Sequence, residues 1–316
     1  MSKSKFIIRS EDEPSTSRQS DTLLAINAES KKTKRVKVPL IDGEVEDVIQ
    51  EELDRLYGLG KYRHPNIAAL FSIQRGPKSV NGKSTILFLH FESSGLTLGE
   101  YLLEGLDAHT VKDLMHQVMR GLDFLHKQGI VHGDMRPRNL IITPDGGIKI
   151  TDFGLKETLA YDRINRAEEE ESLAYKSPEI LLGSYSGTAS DVWASGCILA
   201  EMYMCTALFE GSSLEDRLDN IFSVIGTPRK EEWPKDVMTP HKLFPLRPRI
   251  SFSSIIPEIC REGCDLLNSL LRFDHGQRLG VGQVLHHPYF SYKSYMLAAR
   301  ISTEMDCGRY DSTESE

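Results

Sequence analysis

The chain of 316 residues has room for about two domains, and its 40% hydrophobic and 27% charged residues are typical of a soluble globular protein. Its 38 Lys and Arg against 46 Asp and Glu leave a net charge of −8, which argues against general binding to nucleic acid. The apolar runs are far shorter than the ~18 residues of a membrane span, no secretory signal is evident, and the few scattered cysteines predict a reducing compartment, the cytoplasm or the nucleus.

The first part of the chain predicts a small lobe that is rich in strands. Residues 1–21 are polar and predict a disordered tail. Residues 22–92 contain one helical stretch, 45–59, in which apolar residues recur three and four positions apart. The strand-like runs of this lobe are 22–26, 35–40, 67–73 and 85–91.

The rest of the chain predicts a larger, mainly helical lobe at 93–300 and a second disordered tail at 301–316. Thr110–Lys127 carries the i, i+3, i+4, i+7 apolar stripe of a helix that faces a core. Two short apolar strands, 139–143 and 148–151, follow and are joined by a Pro-Asp-Gly-Gly turn. The pattern therefore predicts an α+β fold with two unequal lobes.

The most informative motif lies between the long helix and these two strands. It begins with His132-Gly133-Asp134 and ends at Asn139, and Asp152-Phe153-Gly154 begins thirteen residues later. Each residue alone is an ordinary loop residue, but these types at this spacing are improbable in an unspecialised loop. The combination resembles the signature of protein kinases, whose bilobal fold has a small β-rich N-lobe with one helix and a larger helical C-lobe.

The resemblance implies a role for each polar residue of the motif. Asp134 is expected to accept the proton of a substrate hydroxyl, and Arg136 is expected to reach the transferred phosphate. Asn139 and Asp152 are expected to bind the Mg²⁺ ions that bridge the phosphates of ATP. The implied reaction is transfer of the γ-phosphate of ATP to Ser or Thr of a protein substrate.

Further stretches are similar to the cyclin-dependent kinases. Leu208–Gly211, Gly226–Pro228 and Asp191–Cys197 match motifs in the large lobe of that family. The resemblance implies a role in cell-cycle or related regulation and a cyclin or cyclin-like partner. Gly43–Glu52 is acidic and does not match the family's cyclin-binding helix, so an unusual or absent partner fits as well.

The nucleotide-binding half departs from the family. Lys34 and Glu52 match the lysine and glutamate that hold the ATP phosphates, although Lys34 also fits a solvated basic strand and Glu52 a solvent-facing helix position. No glycine-rich loop precedes Lys34, and Lys32 replaces the small residue that lines the adenine pocket, so ATP should be held more weakly or by other contacts. The residues that match the contacts around the adenine base are Glu92, Ser94 and Ile141, and each also fits an ordinary core position.

The activation loop departs from the family as well. Ala167 stands where the family carries a phosphothreonine, and Gly133 stands where it carries the arginine that binds that phosphate. The run Glu168–Glu171 is either a solvated face or a constant negative charge in place of the phosphate. We hypothesise that activity does not depend on phosphorylation at this site. Ser172 matches the threonine whose hydroxyl meets the catalytic aspartate, and Lys176 replaces an arginine that helps select proline after the acceptor.

Two functions from different classes are consistent with the sequence. The missing glycine loop, Lys32 and Gly133 favour a pseudokinase, a scaffold or regulatory binding module with a kinase fold. Asp134, Asn139 and Asp152 favour an active serine/threonine kinase, because a scaffold has no need of them. We give more weight to the chemical residues, since a poor nucleotide loop weakens binding whereas loss of the aspartate would remove the proton acceptor.

Overall fold

A computed structural model of the protein shows a small part built on a sheet and a larger part that is mainly helical. The α+β fold with two unequal lobes that the sequence predicts is thereby confirmed. The residues that the structure describes are 6–7, 23–27, 33–37, 40–42, 58, 64–78, 84–92, 95–153, 171–184, 187–234, 237 and 239–291.

The described strands of the small part form one antiparallel sheet. They are β1 (Phe6–Ile7), β2 (Leu23–Asn27), β3 (Thr33–Lys37), β4 (Leu40–Asp42), β5 (Leu70–Lys78) and β6 (Ser84–Phe91). β6 is central, since β5 pairs along one side of it and β3 and β4 pair with its two ends on the other. β1 lies within the predicted tail 1–21 but pairs with β2 through Phe6 and Ile7, two apolar residues that suit a strand.

The helix predicted over 45–59 is described at Gly58 alone, which is helical. Glu52 therefore lies outside the described residues. The segment 64–70, which follows, ties the small part to the large one through backbone hydrogen bonds to Ile150: Ala68 N donates to Ile150 O at 2.8 Å, and Ile150 N donates to Asn66 O at 2.9 Å. This junction fixes the two parts at one strand of the large lobe.

The large part begins with a second antiparallel sheet, in the order β7 (Leu96–Thr97), β8 (Leu140–Ile142) and β9 (Ile148–Ile150). No described helix is both long and apolar enough to cross a membrane. The described helices are α1 (Leu98–Tyr101), α2 (Ala108–Lys127), α3 (Pro178–Leu181), α4 (Thr188–Met204), α5 (Leu214–Ile225), α6 (Phe252–Ile255), α7 (Arg261–Leu270) and α8 (Val281–Val284).

Helix α2 confirms the prediction made from its apolar stripe. It begins after Asp107, whose side chain accepts hydrogen bonds from the backbone N–H groups of His109 and Thr110 at 2.8 and 3.0 Å and so satisfies two N-terminal donors. Its stripe is buried, and the side chains that form it are Val111, Leu114, Met115, Val118, Met119, Leu122 and Leu125. Gly121 allows close packing against the junction, because a Cβ there would lie 2.7 Å from Asn66 O.

Helix α4 is the central helix of the large lobe and packs against α2 and α7. Most of its side chains are buried, and Trp193 stacks on Phe209 with ring centroids 5.6 Å apart. Asp191 is the acidic residue of its first turn and is 1% exposed. A carboxylate buried this deeply in an apolar core requires hydrogen-bond partners, and these lie at the end of α2 and in the loop that follows it.

Candidate active site

The loop between α2 and β8 carries the residues that the sequence singles out. Asp134 accepts a hydrogen bond from Asn139 Nδ2 at its backbone carbonyl, at 2.7 Å, and another at Oδ2, at 3.1 Å. Arg136 Nε lies 3.1 Å from the same Oδ2, with only 5% of the Arg136 side chain exposed. The short 3₁₀ turn Pro137–Asn139 folds the loop back on itself. The structure thus brings together Asp134, Arg136 and Asn139 as the sequence predicts.

Asp152 comes into this group through β9. Thr151 N donates to Asn139 O at 2.9 Å, which places Asp152 directly beside the turn that carries Asn139. Asp152 and Asn139 are 4% and 1% exposed. Asp152 has φ 65°, a left-handed conformation that costs about 1 kcal/mol or more for a residue other than glycine. Strain of this kind concentrates at functional sites, and here it occurs at the residue that the resemblance assigns to Mg²⁺ binding.

The donor set of this pair fits a magnesium ion. Mg²⁺ prefers oxygen ligands and is usually held by one or two carboxylates together with substrate phosphates rather than by a complete protein cage. Asp152 offers a carboxylate and Asn139 an amide oxygen. Within the described part of the chain, no group of three or more His, Cys, Asp or Glu could hold a metal ion. A site that relies on phosphate oxygens needs no such group.

Asp191 anchors the backbone of the loop between α2 and β8, residues 128–139, which we call the catalytic loop. Its Oδ2 accepts the N–H of His132 at 2.8 Å, and its Oδ1 accepts the N–H of Gly133 at 2.9 Å. The same carboxylate lies 2.9 Å from Nε2 of His126. Gly133 has φ 76°, which glycine adopts without strain. Sequence reasoning used Asp191 only as part of a motif and missed this positioning role, which depends on a contact across 58 residues.

His132 links the loop to β9. It is fully buried, and burial lowers the pKa of its imidazole. Its Nδ1 accepts the N–H of Asp134 at 3.2 Å, and its Nε2 lies 3.0 Å from Thr151 O. The first contact requires an unprotonated Nδ1, so the second is a hydrogen bond that Nε2–H donates. A neutral His132 therefore connects the residue before Asp152 to the backbone of Asp134.

Residues 171–176 belong to the activation loop of the sequence analysis, which we call the activation segment from here on. Three of their side chains contact the catalytic loop. Ser172 Oγ donates to Asp134 Oδ1 at 2.7 Å. Lys176 Nζ donates to Gly133 O at 2.6 Å and lies 3.8 Å from Asp134 Oδ1. Glu171 Oε2 accepts a hydrogen bond from Arg138 Nη1 at 3.0 Å. The Ser172 contact was expected from the resemblance, whereas the Lys176 and Glu171 contacts were not.

The predicted nucleotide residues of the small lobe are described only in part. Lys34 lies in β3 opposite Ala25 of β2, next to Arg35, which pairs with Phe91 at the end of β6. Its backbone is thus placed near the junction of the lobes. Glu52 and Ser94 lie outside the described residues, and their roles stay predictions.

Glu92 and Ile141 lie at the junction itself. The Glu92 carboxylate accepts a hydrogen bond from Lys149 Nζ at 2.9 Å, and Glu92 N donates to Ala69 O at 2.7 Å. A contact from Glu92 to adenine would therefore come from its backbone carbonyl. Ile141 is buried on β8, between Leu140 and Ile142, whose side chains belong to the core. Since alternate residues of a strand face opposite sides, Ile141 faces away from that core.

The fold and this site are those of a protein kinase. A model of the protein kinase domain matches residues 19–290. Cyclin-dependent kinase 4 of Xenopus laevis is 38% identical over 244 residues, which cover 76% of each chain. The same-named proteins of Ovis aries and Mus musculus are 37% and 36% identical over 242 residues, 75% of this chain and 79% of theirs. The chain therefore belongs to the protein kinase family, and within it to the cyclin-dependent kinase type.

Proposed function

We propose that this protein is a serine/threonine protein kinase that uses ATP and Mg²⁺ and is active without phosphorylation of its activation loop. One observation carries the proposal. The carboxylate of Asp134 is held by Asn139, Arg136 and Ser172 at 2.7–3.1 Å, in a site that also contains Asp152. Fixing the orientation of this carboxylate suits it to accept the proton of the substrate hydroxyl during phosphoryl transfer.

Each residue of this site then has a defined role in the reaction. Asp134 would accept the proton of the substrate hydroxyl, with its orientation fixed by the hydrogen bonds from Asn139 and Ser172. Arg136 is buried, so its cation would act on the transferred phosphate in a medium of low dielectric constant, where charge stabilisation is strong. Bound Mg-ATP would supply the phosphoryl group, and Asn139 and Asp152 would hold the metal ions.

Independence from phosphorylation is supported by the contacts of residues 171–176. In related kinases the resemblance implies an arginine and a phosphothreonine at this place, and this chain has Gly133 and Ala167 instead. The hydrogen bonds from Lys176 to Gly133 O and from Ser172 to Asp134 connect the segment to the catalytic loop with unmodified side chains. Hydrogen bonds of a charged group contribute about 1.5–3 kcal/mol each.

A pseudokinase is the second candidate, and the nucleotide half favours it. No glycine-rich loop precedes Lys34, and Lys32 replaces a small residue of the predicted adenine pocket. In that case the chain would act as a scaffold or regulatory binding module. The two candidates differ in whether phosphate is transferred and in whether Asp134 matters for the signal.

The deciding experiment measures transfer of labelled γ-phosphate from Mg-ATP to a protein substrate. We expect transfer by the wild type and loss of at least about a hundredfold in Asp134→Asn, since general base catalysis contributes about 10²–10⁴. Asp145→Asn is the matched control, because Asp145 is exposed in the turn between β8 and β9. Equal signals from all three proteins would contradict an active kinase, and an ATP-dependent thermal shift without transfer would favour the pseudokinase.

A phosphatase arm tests independence from phosphorylation. The purified protein is treated with a broad-specificity phosphatase and its dephosphorylation is checked by mass spectrometry before the assay. Unchanged activity is the expected result, because the segment is connected by Ser172 and Lys176. Loss of activity that returns after phosphorylation by an upstream kinase would refute it.

For partners we propose a protein substrate and a cyclin-like activator, within cell-cycle or related regulation in the cytoplasm or nucleus. The support is the similarity to relatives that are named cyclin-dependent kinases. Capture of the tagged chain from a native extract, followed by mass spectrometry, tests this. A cyclin-fold protein in stoichiometric amount is expected, and a fully active monomer without one would contradict it.

A further inference from the structure

Among the described residues of the activation segment, Glu171 is the one whose carboxylate lies beside Arg138 and Arg136. Its Oε2 is 3.0 Å from Arg138 Nη1 and 3.7 Å from Arg136 Nη1. Arg136 in turn lies 3.1 Å from the carboxylate of Asp134. One guanidinium group therefore separates Glu171 from the proton acceptor, a span of no more than about 9 Å, or two to three residues of extended chain at ~3.3–3.6 Å each. A peptide whose hydroxyl meets Asp134 must pass within side-chain reach of Glu171.

The carboxylate of Glu171 has capacity for another donor. Both arginine contacts are made by Oε2 alone. Among the described residues, Oε1 has no hydrogen-bond or ion-pair partner, and 38% of the side chain is exposed. A carboxylate accepts about four hydrogen bonds when it is ionised, so a lysine or arginine of a bound peptide could pair with Oε1 while Oε2 keeps its arginine contacts.

The same surroundings do not suit proline. A proline ring needs an apolar wall, and packing it here would partly desolvate the Glu171–Arg138 ion pair. Lys176 adds another charged group there, with its ammonium group 2.6 Å from Gly133 O. Among the described residues, the residue beside the phosphoacceptor therefore meets the charged groups of Glu171, Arg138 and Lys176.

We propose, on the basis of the kinase function proposed above, that Glu171 is a specificity-determining residue that selects protein substrates with a lysine or arginine within two residues of the phosphorylated Ser or Thr. Proline next to the acceptor is not required. An acidic residue at the same place is disfavoured, because it would be repelled by Glu171 and would compete with it for Arg138. The two arginines set the direction from which a basic side chain approaches, namely the Oε1 side.

The test compares kcat/KM for serine peptides that differ in one flanking residue, Lys, Ala, Pro or Glu, at each position within two residues of the serine. The wild type should prefer Lys over Ala at one position by about fivefold, equivalent to about 1 kcal/mol for a partly exposed ion pair. Glu171→Gln should reduce that ratio to about one. Glu171→Lys should instead prefer the peptide with Glu at that position over the peptide with Ala. The ratio is the readout because a common change in rate cancels from it.

Glu258→Gln is the matched control, since Glu258 is an exposed carboxylate of the large lobe outside the site. It should leave the Lys-to-Ala ratio as in the wild type. A ratio that is the same in wild type and Glu171→Gln, or a wild-type preference for Pro or Glu, overturns this inference and leaves the kinase function standing. Absence of transfer to every peptide overturns the kinase function, and the inference with it.

Discussion

The ion pair between Glu179 and Arg278 gives the sharpest prediction about stability. Glu179 lies in helix α3, directly after the activation segment, and Arg278 lies 99 residues further on. The pair is bidentate, with Nη1–Oε1 at 2.6 Å and Nη2–Oε2 at 2.7 Å, and only 1% and 5% of the two side chains are exposed. Arg278 also donates to Arg272 O at 2.9 Å and lies 5.0 Å from the ring centroid of Trp193.

Glu179→Gln is the perturbation, because it keeps the shape of the side chain and removes its charge. The guanidinium of Arg278 would stay buried with carbonyl partners but without a counter-ion. Breaking a buried pair from one side costs about 3–5 kcal/mol. That is a large share of a typical free energy of unfolding of about 5–15 kcal/mol. Replacing both partners with apolar residues should cost less than Glu179→Gln alone, since no buried charge is then left.

The assay is urea unfolding followed by tryptophan fluorescence, with the free energy of unfolding extrapolated to water. Glu232→Gln is the control, because Glu232 pairs with Arg229 at 3.4 Å while 81% of the Arg229 side chain and 41% of the Glu232 side chain are exposed. The control should lose less than about 1 kcal/mol. A loss in Glu179→Gln as small as that of the control would refute the reasoning that burial makes this pair costly to break.

Three further predictions concern Glu201, Gly133 and Asp191. Burial raises the pKa of Glu201 from 4.5 to about 7, so the folded protein binds an extra proton between these values, and the contribution of Glu201 to stability should be largest below pH 4.5 and be lost as pH rises through 7. The fall should be at most about 3 kcal/mol, and Glu201→Gln should flatten it in thermal unfolding measured across that range. Gly133→Ala should destabilise by about 1 kcal/mol because of its φ of 76°, whereas Gly282→Ala, in helix α8 and without positive φ, should not; similar losses in both would contradict this. Asp191→Asn should lower kcat about tenfold or more with little change in the KM for ATP, because one catalytic-loop N–H loses its acceptor; steady-state kinetics in which KM alone changes would contradict it.

The sequence predicts those parts of the fold that depend on local pattern. The apolar stripe of Thr110–Lys127 corresponds to α2, Ala108–Lys127, and the capping residue Asp107 accounts for its earlier start. The predicted strands 139–143 and 148–151 correspond to β8, which is one residue shorter at each end, and β9, which is one residue shorter at its C-terminal end. The run predicted as one strand, 35–40, falls on β3 and β4, and its described residues pair with β6 in one continuous register, from Arg35 opposite Phe91 to Leu40 opposite Ile86. The choice of β6 as the partner is a long-range pairing that the run itself does not encode.

The candidate site also divides into residues that a local motif predicts and contacts that no local motif predicts. The spacing of Asp134, Asn139 and Asp152 predicts their chemistry, because a motif carries residue types and separations. The pairings Glu171–Arg138 and Lys176–Gly133 join residues 33 and 43 positions apart and depend on the path of the activation segment. For Glu171, the sequence left a solvated face and a substitute charge as alternatives. The observed hydrogen bond to Arg138 is consistent with the second.

The paired change at Gly133 and Ala167 is physically coherent. An arginine at position 133 without a phosphate to bind would add a cation to the residue that Lys176 contacts, and a poorly compensated charge in such a place costs several kcal/mol. Glycine removes that charge, adopts a φ of 76° without strain, and leaves its carbonyl to accept the hydrogen bond from Lys176 at 2.6 Å. If the segment is connected in this way, Gly133→Arg alone should lower activity. The double variant Gly133→Arg with Ala167→Glu, which supplies a negative charge, should recover part of the loss in the same transfer assay.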